Sequence, residues 1–301
     1  AEVQPPIALG NQESDRDLKI TRFAPSTTGL AHLGTLYAAL VAWLFSRSHR
    51  GRALLRLENL DPQRCSEAYL EDMLRTLDLC GLEFDDVQRQ DHHLDLYHET
   101  LLSLQREGLI YVCECTRKDL RAVNRRTPEG GFVYDNRFRN RHWDGGPYTG
   151  NLRLNLGSAP LAFQDPTFGL FSMNVDEVFG DPIVVRRDGA FSYHFASTID
   201  DHHSHVTDVV RGRDLLWSTP PQLAIRRSLN FPAPRVHHHP LLLESQDAKL
   251  AKLHGSLPVR ELLAHLSPQK LIGELAYLMG LVTEPNPCPP DALISGFDWT
   301  H

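Results

Sequence analysis

The sequence is poor in cysteine and has no long hydrophobic run. Its 301 residues include five cysteines, an odd number spread thinly along the chain. This usage excludes a disulfide framework and favours reduced thiols in the cytoplasm. No apolar run approaches the roughly 20 residues that would cross a bilayer, so we expect no membrane partner. The first residues lack a basic start and a long apolar block, so we expect a flexible lead-in over 1–17 rather than a signal peptide.

Basic residues are outnumbered by acidic ones, with 31 Lys and Arg against 38 Asp and Glu. The formal net charge is −7, which does not favour nucleic-acid binding by the protein as a whole. A local basic stripe could still bind nucleic acid, because net charge averages over all faces of a protein. The length predicts two domains, or one large domain with an insertion.

Predicted strands and helices alternate in the first part of the chain. We predict strands at 18–23, 53–57, 111–115, 151–156 and 205–210. We predict helices at 36–45, 66–79, 94–104, 215–229, 259–266 and 270–281, the fourth of them interrupted early by Pro220-Pro221. Segment 182–196 is predicted to be a β-hairpin around Asp188-Gly189. Alternating strands and helices indicate an α/β fold with a parallel sheet.

The predicted fold is divided into segments along the chain. After the lead-in, 18–107 and 181–245 are the two halves of a Rossmann-like nucleotide-binding fold. Between them, 108–180 is an inserted α+β subdomain, and 246–301 is a C-terminal helical region.

A small-residue turn between the first strand and the first helix is typical of a nucleotide cradle. The stretch is TRFAPSTTGLAHLG, from Thr21 to Gly34. Backbone N–H groups of such a turn, with the positive end of the following helix, can bind phosphate. Gly34 lacks a Cβ where a nucleotide would lie, and His32 can donate to a phosphoryl oxygen. The alternative is an ordinary helix N-cap with a surface histidine.

Two lysines, Lys249 and Lys252 in the sequence KLAK, follow a polar loop near residue 245. They can close over a triphosphate and neutralise the charge that develops as pyrophosphate leaves. The alternative is an exposed helix start with solvated lysines.

These segments together resemble the catalytic core of class I aminoacyl-tRNA synthetases of the glutamyl branch. RFAPSTTGLAHLG and KLAK resemble the two signatures of this family. RLENLD, DGAFSYHFASTIDD and HVTDVVRGRDLL resemble further blocks, in the same order along the chain. Only 253–301 follows Lys252, so the resemblance favours the short paralogue, the glutamyl-queuosine tRNA(Asp) synthetases. Ala251 stands where the second signature usually has a serine.

The resemblance implies a glutamate pocket at the ends of the predicted strands. Arg211 suits bidentate binding of the side-chain carboxylate, and Arg22 is a second carboxylate partner. Glu58 would hold the α-ammonium group, and Ser26 and Tyr193 would add hydroxyl contacts. The resemblance further implies pocket contacts from Phe23, Ala24 and Pro25. The alternative for the three charged residues is surface ion pairing, which stabilises little.

The resemblance also implies a reaction and its partners. ATP activates L-glutamate to glutamyl-adenylate without tRNA, with Mg²⁺ expected on the nucleotide. Glutamate then passes to queuosine in the anticodon loop of tRNA(Asp). The implied catalytic residues are His32, Lys249 and Lys252, with His32, Gly34 and Lys252 binding ATP. We expect a monomer. The alternatives are charging of a tRNA 3′ end or a carrier protein, and a non-catalytic glutamate or nucleotide sensor.

Zinc is a further implication of the resemblance, and it is incomplete here. Family members often bind zinc through Cys-x-Cys, a tyrosine, and a cysteine four residues later. Cys113, Cys115 and Tyr134 match this pattern, but the fourth position is Phe138. Because phenylalanine cannot ligate zinc, a complete site would need a water, Asp135 or His142. The alternative is two reduced cysteines packed in a small insertion.

Two histidine runs and one arginine-rich stretch complete the candidates. The runs at 200–205 and 237–239 present consecutive residues to different faces, so we interpret them as solvated or ATP-side residues rather than metal ligands. The basic stretch is expected to follow a tRNA backbone; the alternative is a solvated charged helix and loop. Its members are Arg117, Lys118, Arg121, Arg125, Arg126, Arg137, Arg139 and Arg141.

Overall fold

Two units with different kinds of β-sheet make up the described chain. The computed structural model describes residues 18–242 and 258–299. The parallel-sheet unit comprises 18–91, 206–214 and the described residues from 237 onward. The antiparallel-sheet unit comprises His92–His205 and Leu215–Val236. The predicted segments 18–107, 108–180 and 181–245 are defined by the two halves of a nucleotide-binding fold and not by contacts between residues. They stay predictions.

The parallel-sheet unit begins with three short strands connected by helices. Strands β1 (Ile20–Phe23), β2 (Arg52–Leu57) and β3 (Asp86–Arg89) are parallel and pair in that order. Strand β9 (Asp208–Gly212) pairs with β10 (Arg235–His239). The Thr207 N–H donates to the Ile20 carbonyl at 2.9 Å, which holds the start of β9 beside β1.

The core of this unit forms around helix α1 (Leu33–Ser48), which is apolar on all sides. A helix of this kind must be covered all round. Leu36, Leu40 and Leu44 are at most 1% exposed. Their core cluster also contains residues of α2 (Glu67–Leu79), α8 (Val259–Leu262) and α9 (Pro268–Leu278). Each buried leucine contributes about 1.5–3 kcal/mol relative to exposure.

None of the helices in the described ranges has the length and apolar character needed to cross a membrane.

The antiparallel-sheet unit is organised around two small sheets. Strand β5 (Asn151–Leu154) lies between β4 (Ile110–Cys113) and β8 (Ile183–Val185). Strands β6 (Pro160–Asp165) and β7 (Gly169–Asn174) form a hairpin. The helices of this unit are α3 (Leu94–Arg106), α4 (Arg117–Val123), α5 (Val175–Val178), α6 (Tyr193–His203) and α7 (Thr219–Ser228).

A fully buried carboxylate, Asp181, joins the segments of this unit. It accepts hydrogen bonds from the Tyr111 hydroxyl at 2.8 Å, Arg139 Nε at 2.6 Å and the Leu156 N–H at 3.0 Å. Its backbone carbonyl accepts from the guanidinium of Arg153. Because a buried charge is tolerated only when it is paired and hydrogen-bonded, this network determines how the insertion is packed.

The helices predicted at 66–79 and 94–104 are confirmed, and side-chain caps and a left-handed glycine define helix ends in this region. Ser66 caps α2 by accepting from the Tyr69 N–H at 3.3 Å. Thr116 and Asp119 form a reciprocal capping box at the start of α4. Gly108, with φ of +72°, ends the turn after α3, where a left-handed residue is required.

The predicted hairpin at 182–196 is wrong in its second arm. Only Val185 pairs with Phe191, across the turn at Gly189. Helix α6 then begins, because the Ser192 hydroxyl caps it by accepting from the Phe195 N–H at 3.3 Å.

The predicted helix at 215–229 is also corrected. Residues Arg213–Ser218 form a 3₁₀ helix, and α7 begins at Thr219. Pro220 and Pro221 therefore lie in the first turn of α7, where their missing N–H groups are not needed. They start the helix rather than interrupt it.

We predict that Asp181→Asn destabilises the protein by about 3–5 kcal/mol. It removes the buried negative charge that accepts from Tyr111 and Arg139, and it leaves the partly buried Arg139 with the longer contact to Asp176 at 3.6 Å. Asp135→Asn is the matched control. It removes the exposed ion pair between Asp135 and Arg137 and should cost at most about 1 kcal/mol. Denaturant unfolding of both variants measures the difference, and equal losses would contradict a special role for the buried carboxylate.

Candidate active site

The turn between β1 and α1 is held against the end of β2 by backbone hydrogen bonds. The Glu58 N–H donates to the Pro25 carbonyl at 3.0 Å, and the Thr27 N–H donates to the Glu58 carbonyl at 3.2 Å. Ser26 and Glu58 thus form a parallel bridge. This turn lies at the carboxyl edge of the parallel sheet, where open α/β sheets bind ligands.

His32 begins helix α1 and serves as its N-cap. Its Nδ1 accepts a hydrogen bond from the Thr35 N–H at 3.3 Å. Partial burial of the ring lowers the pKa of His32 below its usual value, which favours the neutral imidazole. Since Nδ1 is the acceptor, the neutral ring carries its proton on Nε2. His32 is therefore arranged to donate from Nε2, as phosphate binding requires.

Gly34 lies directly beside the ring of His32. A Cβ placed on Gly34 would come within 3.3 Å of the ring atoms Cε1 and Nδ1. The glycine therefore leaves room for the imidazole in its capping position. Whether a nucleotide also uses this space stays a prediction.

The two predicted carboxylate-binding arginines lie on neighbouring strands. Arg22, on β1, is 2% exposed, and its Nη1 donates to the Val210 carbonyl at 3.5 Å. Arg211 follows Val210 on β9 and is 6% exposed. Burying a guanidinium is costly unless an anion or several acceptors compensate it. Two such groups on neighbouring strands make this edge of the sheet suited to an anionic ligand.

Glu58 follows β2 on the same edge of the sheet. Its carboxylate lies 3.8 Å from Arg56, which is fully buried on β2. The edge thus carries positive charge at Arg22 and Arg211 and negative charge at Glu58. An amino acid with a second carboxylate has the matching pattern of charges.

The other predicted pocket residues contribute in different ways. The Phe23 side chain is buried and stacks on Phe84 with ring centroids 6.2 Å apart, so Phe23 can offer a ligand only its backbone. Ala24 is half-buried, Pro25 is buried and Ser26 is exposed. Tyr193 begins α6 in the antiparallel-sheet unit, and its place in the pocket stays a prediction.

The predicted lysine pair, Lys249 and Lys252, lies outside the described residues, as does Ala251. Pro258, the next residue of the chain that the structure describes, pairs with His32 in an isolated antiparallel bridge. The Val259 N–H donates to the Ala31 carbonyl at 2.7 Å. The chain that follows the KLAK segment is therefore attached beside the start of α1.

The residues at the predicted zinc position form an apolar cluster and do not fit a tetrahedral zinc site. Cys113, Cys115 and Tyr134 are buried together, and Phe138 packs against them. Burial raises the pKa of the Cys115 thiol to about 11, with the neighbouring Cys113 as a second cause. The donor set has three members at most, and Phe138 supplies no fourth.

The substitutes considered for the fourth ligand are engaged elsewhere. Asp135 accepts from Arg137 Nε at 2.8 Å, and His142 Nδ1 lies 3.1 Å from the Gly108 carbonyl. Within 18–242 and 258–299, no group of three or more His, Cys, Asp or Glu side chains is arranged to hold a metal ion.

Much of the arginine-rich stretch is engaged inside the antiparallel-sheet unit. Five of its members bond to neighbouring carboxylates or carbonyls: Arg125 to Glu177, Arg126 to Gly130, Arg137 to Asp135, Arg139 to Asp181 and Arg141 to Glu114. Arg117, Lys118 and Arg121 are exposed on α4. These three are better placed to contact phosphate, and the RNA role stays a prediction.

Sequence reasoning missed a residue at the candidate site, His238. The sequence favours solvated or ATP-side residues at 237–239. His238 and His239 are 0% and 4% exposed, so they are not solvated, and an ATP-side position stays a prediction. His238 Nε2 accepts from Arg211 Nε at 3.1 Å. The alternation of side chains along a strand could have predicted that His238 faces away from His237 and His239. It could not have predicted the contact between His238 and Arg211.

Comparison with known proteins places this geometry in context. The family model described as "tRNA synthetases class I (E and Q), catalytic domain" matches residues 19–270. The chain is 37% identical to a glutamyl-Q tRNA(Asp) synthetase from Symbiobacterium thermophilum, covering 92% of this chain and 91% of the relative. It is 39% identical to a protein of the same name from Neisseria meningitidis serogroup A, covering 77% and 79% respectively.

A solved structure shares the fold. The glutamate tRNA ligase from Elizabethkingia meningosepticum, crystallised with its amino acid, superposes with a TM-score of 0.76 at 24% identity. The match covers 94% of this chain and 65% of that chain, so this chain spans just under two thirds of the solved ligase. The predicted class I, Rossmann-like fold is confirmed.

We predict that Phe138→Cys creates a zinc site by supplying the fourth ligand to Cys113, Cys115 and Tyr134. After dialysis against zinc and then buffer, the variant should hold about one zinc per chain and the unaltered protein far less. Phe168→Cys, which adds a thiol elsewhere in the same unit, is the control and should hold none. One tightly held zinc in the unaltered protein would contradict the misfit described above.

Proposed function

The chain belongs to the class I tRNA synthetase family for glutamate and glutamine, and from this premise we propose that it attaches glutamate to queuosine in tRNA(Asp). L-Glutamate is first activated by ATP to glutamyl-adenylate, without tRNA. The glutamyl group then passes to the cyclopentene-diol of queuosine in the anticodon loop. The names of the relatives that match most of this chain support this acceptor over a tRNA 3′ end, a carrier or a sensing role.

The observation on which the proposal depends is the pair of buried arginines at the carboxyl edge of the sheet. Arg211 binds the side-chain carboxylate of glutamate through its terminal nitrogens, and Arg22 adds a second positive charge. Glu58 binds the α-ammonium group. An uncharged side chain, as in glutamine, would leave the guanidinium of Arg211 without its anion, so the charge pattern selects glutamate.

The first step is an in-line substitution at the α-phosphorus of ATP. An oxygen of the glutamate α-carboxylate attacks the α-phosphorus, a P–O bond forms, and pyrophosphate leaves with its bonding electrons. MgATP enters as the substrate, with the ion carried by the phosphates. Nε2–H of His32 donates to a phosphoryl oxygen, and Lys249 and Lys252 neutralise the leaving pyrophosphate.

The second step transfers the acyl group. A hydroxyl of the queuosine diol attacks the carbonyl carbon of the mixed anhydride. AMP leaves with the electrons of the broken C–O bond, the hydroxyl proton is released to water, and a glutamyl ester forms. The exposed basic residues of α4, Arg117, Lys118 and Arg121, are proposed contacts for the tRNA backbone, which would make transfer sensitive to salt.

We predict that Arg211→Ala lowers glutamate-dependent ATP–pyrophosphate exchange by about 100-fold or more, because it removes a bidentate charged contact. Arg213→Ala is the matched control. It removes an exposed arginine two positions further along the chain and should leave exchange unchanged. Full exchange by the Arg211 variant would defeat the pocket assignment.

We predict that labelled glutamate is transferred to tRNA(Asp) carrying queuosine and not to the same tRNA made without it. The measurement is acid-precipitable label with the two tRNAs at equal concentration. Label at the 3′ end of unmodified tRNA would instead support ordinary charging. Glutamate binding without any pyrophosphate exchange would support a sensor.

A further inference from the structure

Arg211 is held from one side by a histidine on the adjacent strand. His238 lies in β10 and is fully buried, and its Nε2 is 3.1 Å from Arg211 Nε. Strands β9 and β10 pair with each other, so the strands that carry Arg211 and His238 are joined by backbone hydrogen bonds. The contact therefore belongs to the scaffold and does not depend on a ligand.

The direction of this hydrogen bond defines the state of the imidazole. An arginine Nε–H can only donate, so Nε2 of His238 must be the acceptor. The ring is then neutral and carries its proton on Nδ1. A doubly protonated ring could not accept from Arg211.

The neighbouring histidines on β10 pack elsewhere. His237 pairs with Asp208 at 2.9 Å, and its ring lies 4.7 Å from that of Phe45. The ring of His239 lies 5.1 Å from that of Tyr37. Phe45 and Tyr37 both belong to α1, so alternation along β10 turns His237 and His239 toward this helix and His238 to the other face.

A neutral acceptor is well suited to orienting an arginine that must bind an anion. Arginine has a long side chain with many rotamers, and fixing Nε defines the plane of its guanidinium before the substrate arrives. A carboxylate acceptor would also fix that plane, but it would bring a negative charge that competes with the substrate carboxylate. An imidazole orients the cation without adding such a charge.

We propose that His238 is a positioning residue that orients Arg211 for the side-chain carboxylate of glutamate. The inference rests on the proposed function, in which Arg211 makes that contact. The carboxylate is taken at the guanidinium edge formed by Nη1 and Nη2, since Nε points to His238. His238 does not touch the substrate itself.

The test compares two amides at position 238 that differ only in reach. The Oε1 atom of glutamine can accept from Arg211 Nε at about the place of the histidine Nε2, whereas the shorter asparagine cannot. His238→Asn should raise the KM for glutamate in ATP–pyrophosphate exchange by about tenfold or more. The KM for ATP should stay within about twofold, and His238→Gln should restore most of the glutamate affinity.

His237→Asn is the control. It makes the same substitution at the neighbouring residue, whose side chain lies on the opposite face of β10. It should lower the melting temperature by removing the bond to Asp208, yet leave the KM for glutamate unchanged. The inference is overturned if His238→Asn has a normal KM for glutamate. It is also overturned if His238→Asn and His238→Gln raise both KM values equally, which would indicate a merely structural role.

Failure of the inference and failure of the proposed function give different results. If Arg211→Ala abolishes exchange while His238→Asn is normal, only the positioning role is lost. If Arg211→Ala retains full exchange, the pocket itself is wrong. Should the His238 variants fold poorly, the glutamine-to-asparagine ratio of KM values at a temperature where both are folded still decides the question.

Discussion

Buried positive charge at the carboxyl edge of the parallel sheet is the constraint that best explains the candidate site. Arg22 and Arg211 are almost fully buried on adjacent strands, which costs folding free energy unless acceptors compensate them. The Val210 carbonyl accepts from Arg22, and the His238 imidazole accepts from Arg211. In the proposed pocket the carboxylate of the substrate would add negative charge beside these two arginines, which would couple binding to the electrostatics of the fold.

The antiparallel-sheet unit resolves the same problem internally. Asp181 accepts from Tyr111 and Arg139 and holds neighbouring backbone, so its charges are paired within the unit. The contrast separates two uses of arginine in one chain. Arg139 pairs with a carboxylate of the protein and stabilises the scaffold, whereas Arg211 is proposed to bind the carboxylate of a substrate.

Much of the fold could be predicted because the local signals agree with the tertiary structure. Apolar α1, the cap at Ser66 and the capping box at Thr116 are examples. Prediction failed at 182–196, where β-prone aromatics precede a buried helix: Phe195 and Ile199 lie in its core, and burial outweighed β propensity. Strand β3 was missed because its sequence, DVQR, is polar, and its place depends on backbone pairing with β2.

The candidate site was predictable to the extent that its residues lie at or just after the carboxyl ends of strands. Arg22 and Arg211 lie near the carboxyl ends of β1 and β9, Glu58 follows β2, and the motifs that contain them could be recognised in the sequence. His238 could not be assigned, because three consecutive histidines give no sign of which one meets Arg211 across the sheet. The misfit of Phe138 was visible in the sequence, but its packing against Cys113 and Cys115 required coordinates.

The most direct test of the central claim is a crystal structure with a non-hydrolysable analogue of glutamyl-adenylate. The account predicts the side-chain carboxylate of the analogue within about 3.2 Å of the terminal nitrogens of Arg211, with its ammonium group at Glu58 and its phosphate beside His32. An analogue bound with that carboxylate away from both Arg22 and Arg211 would contradict it.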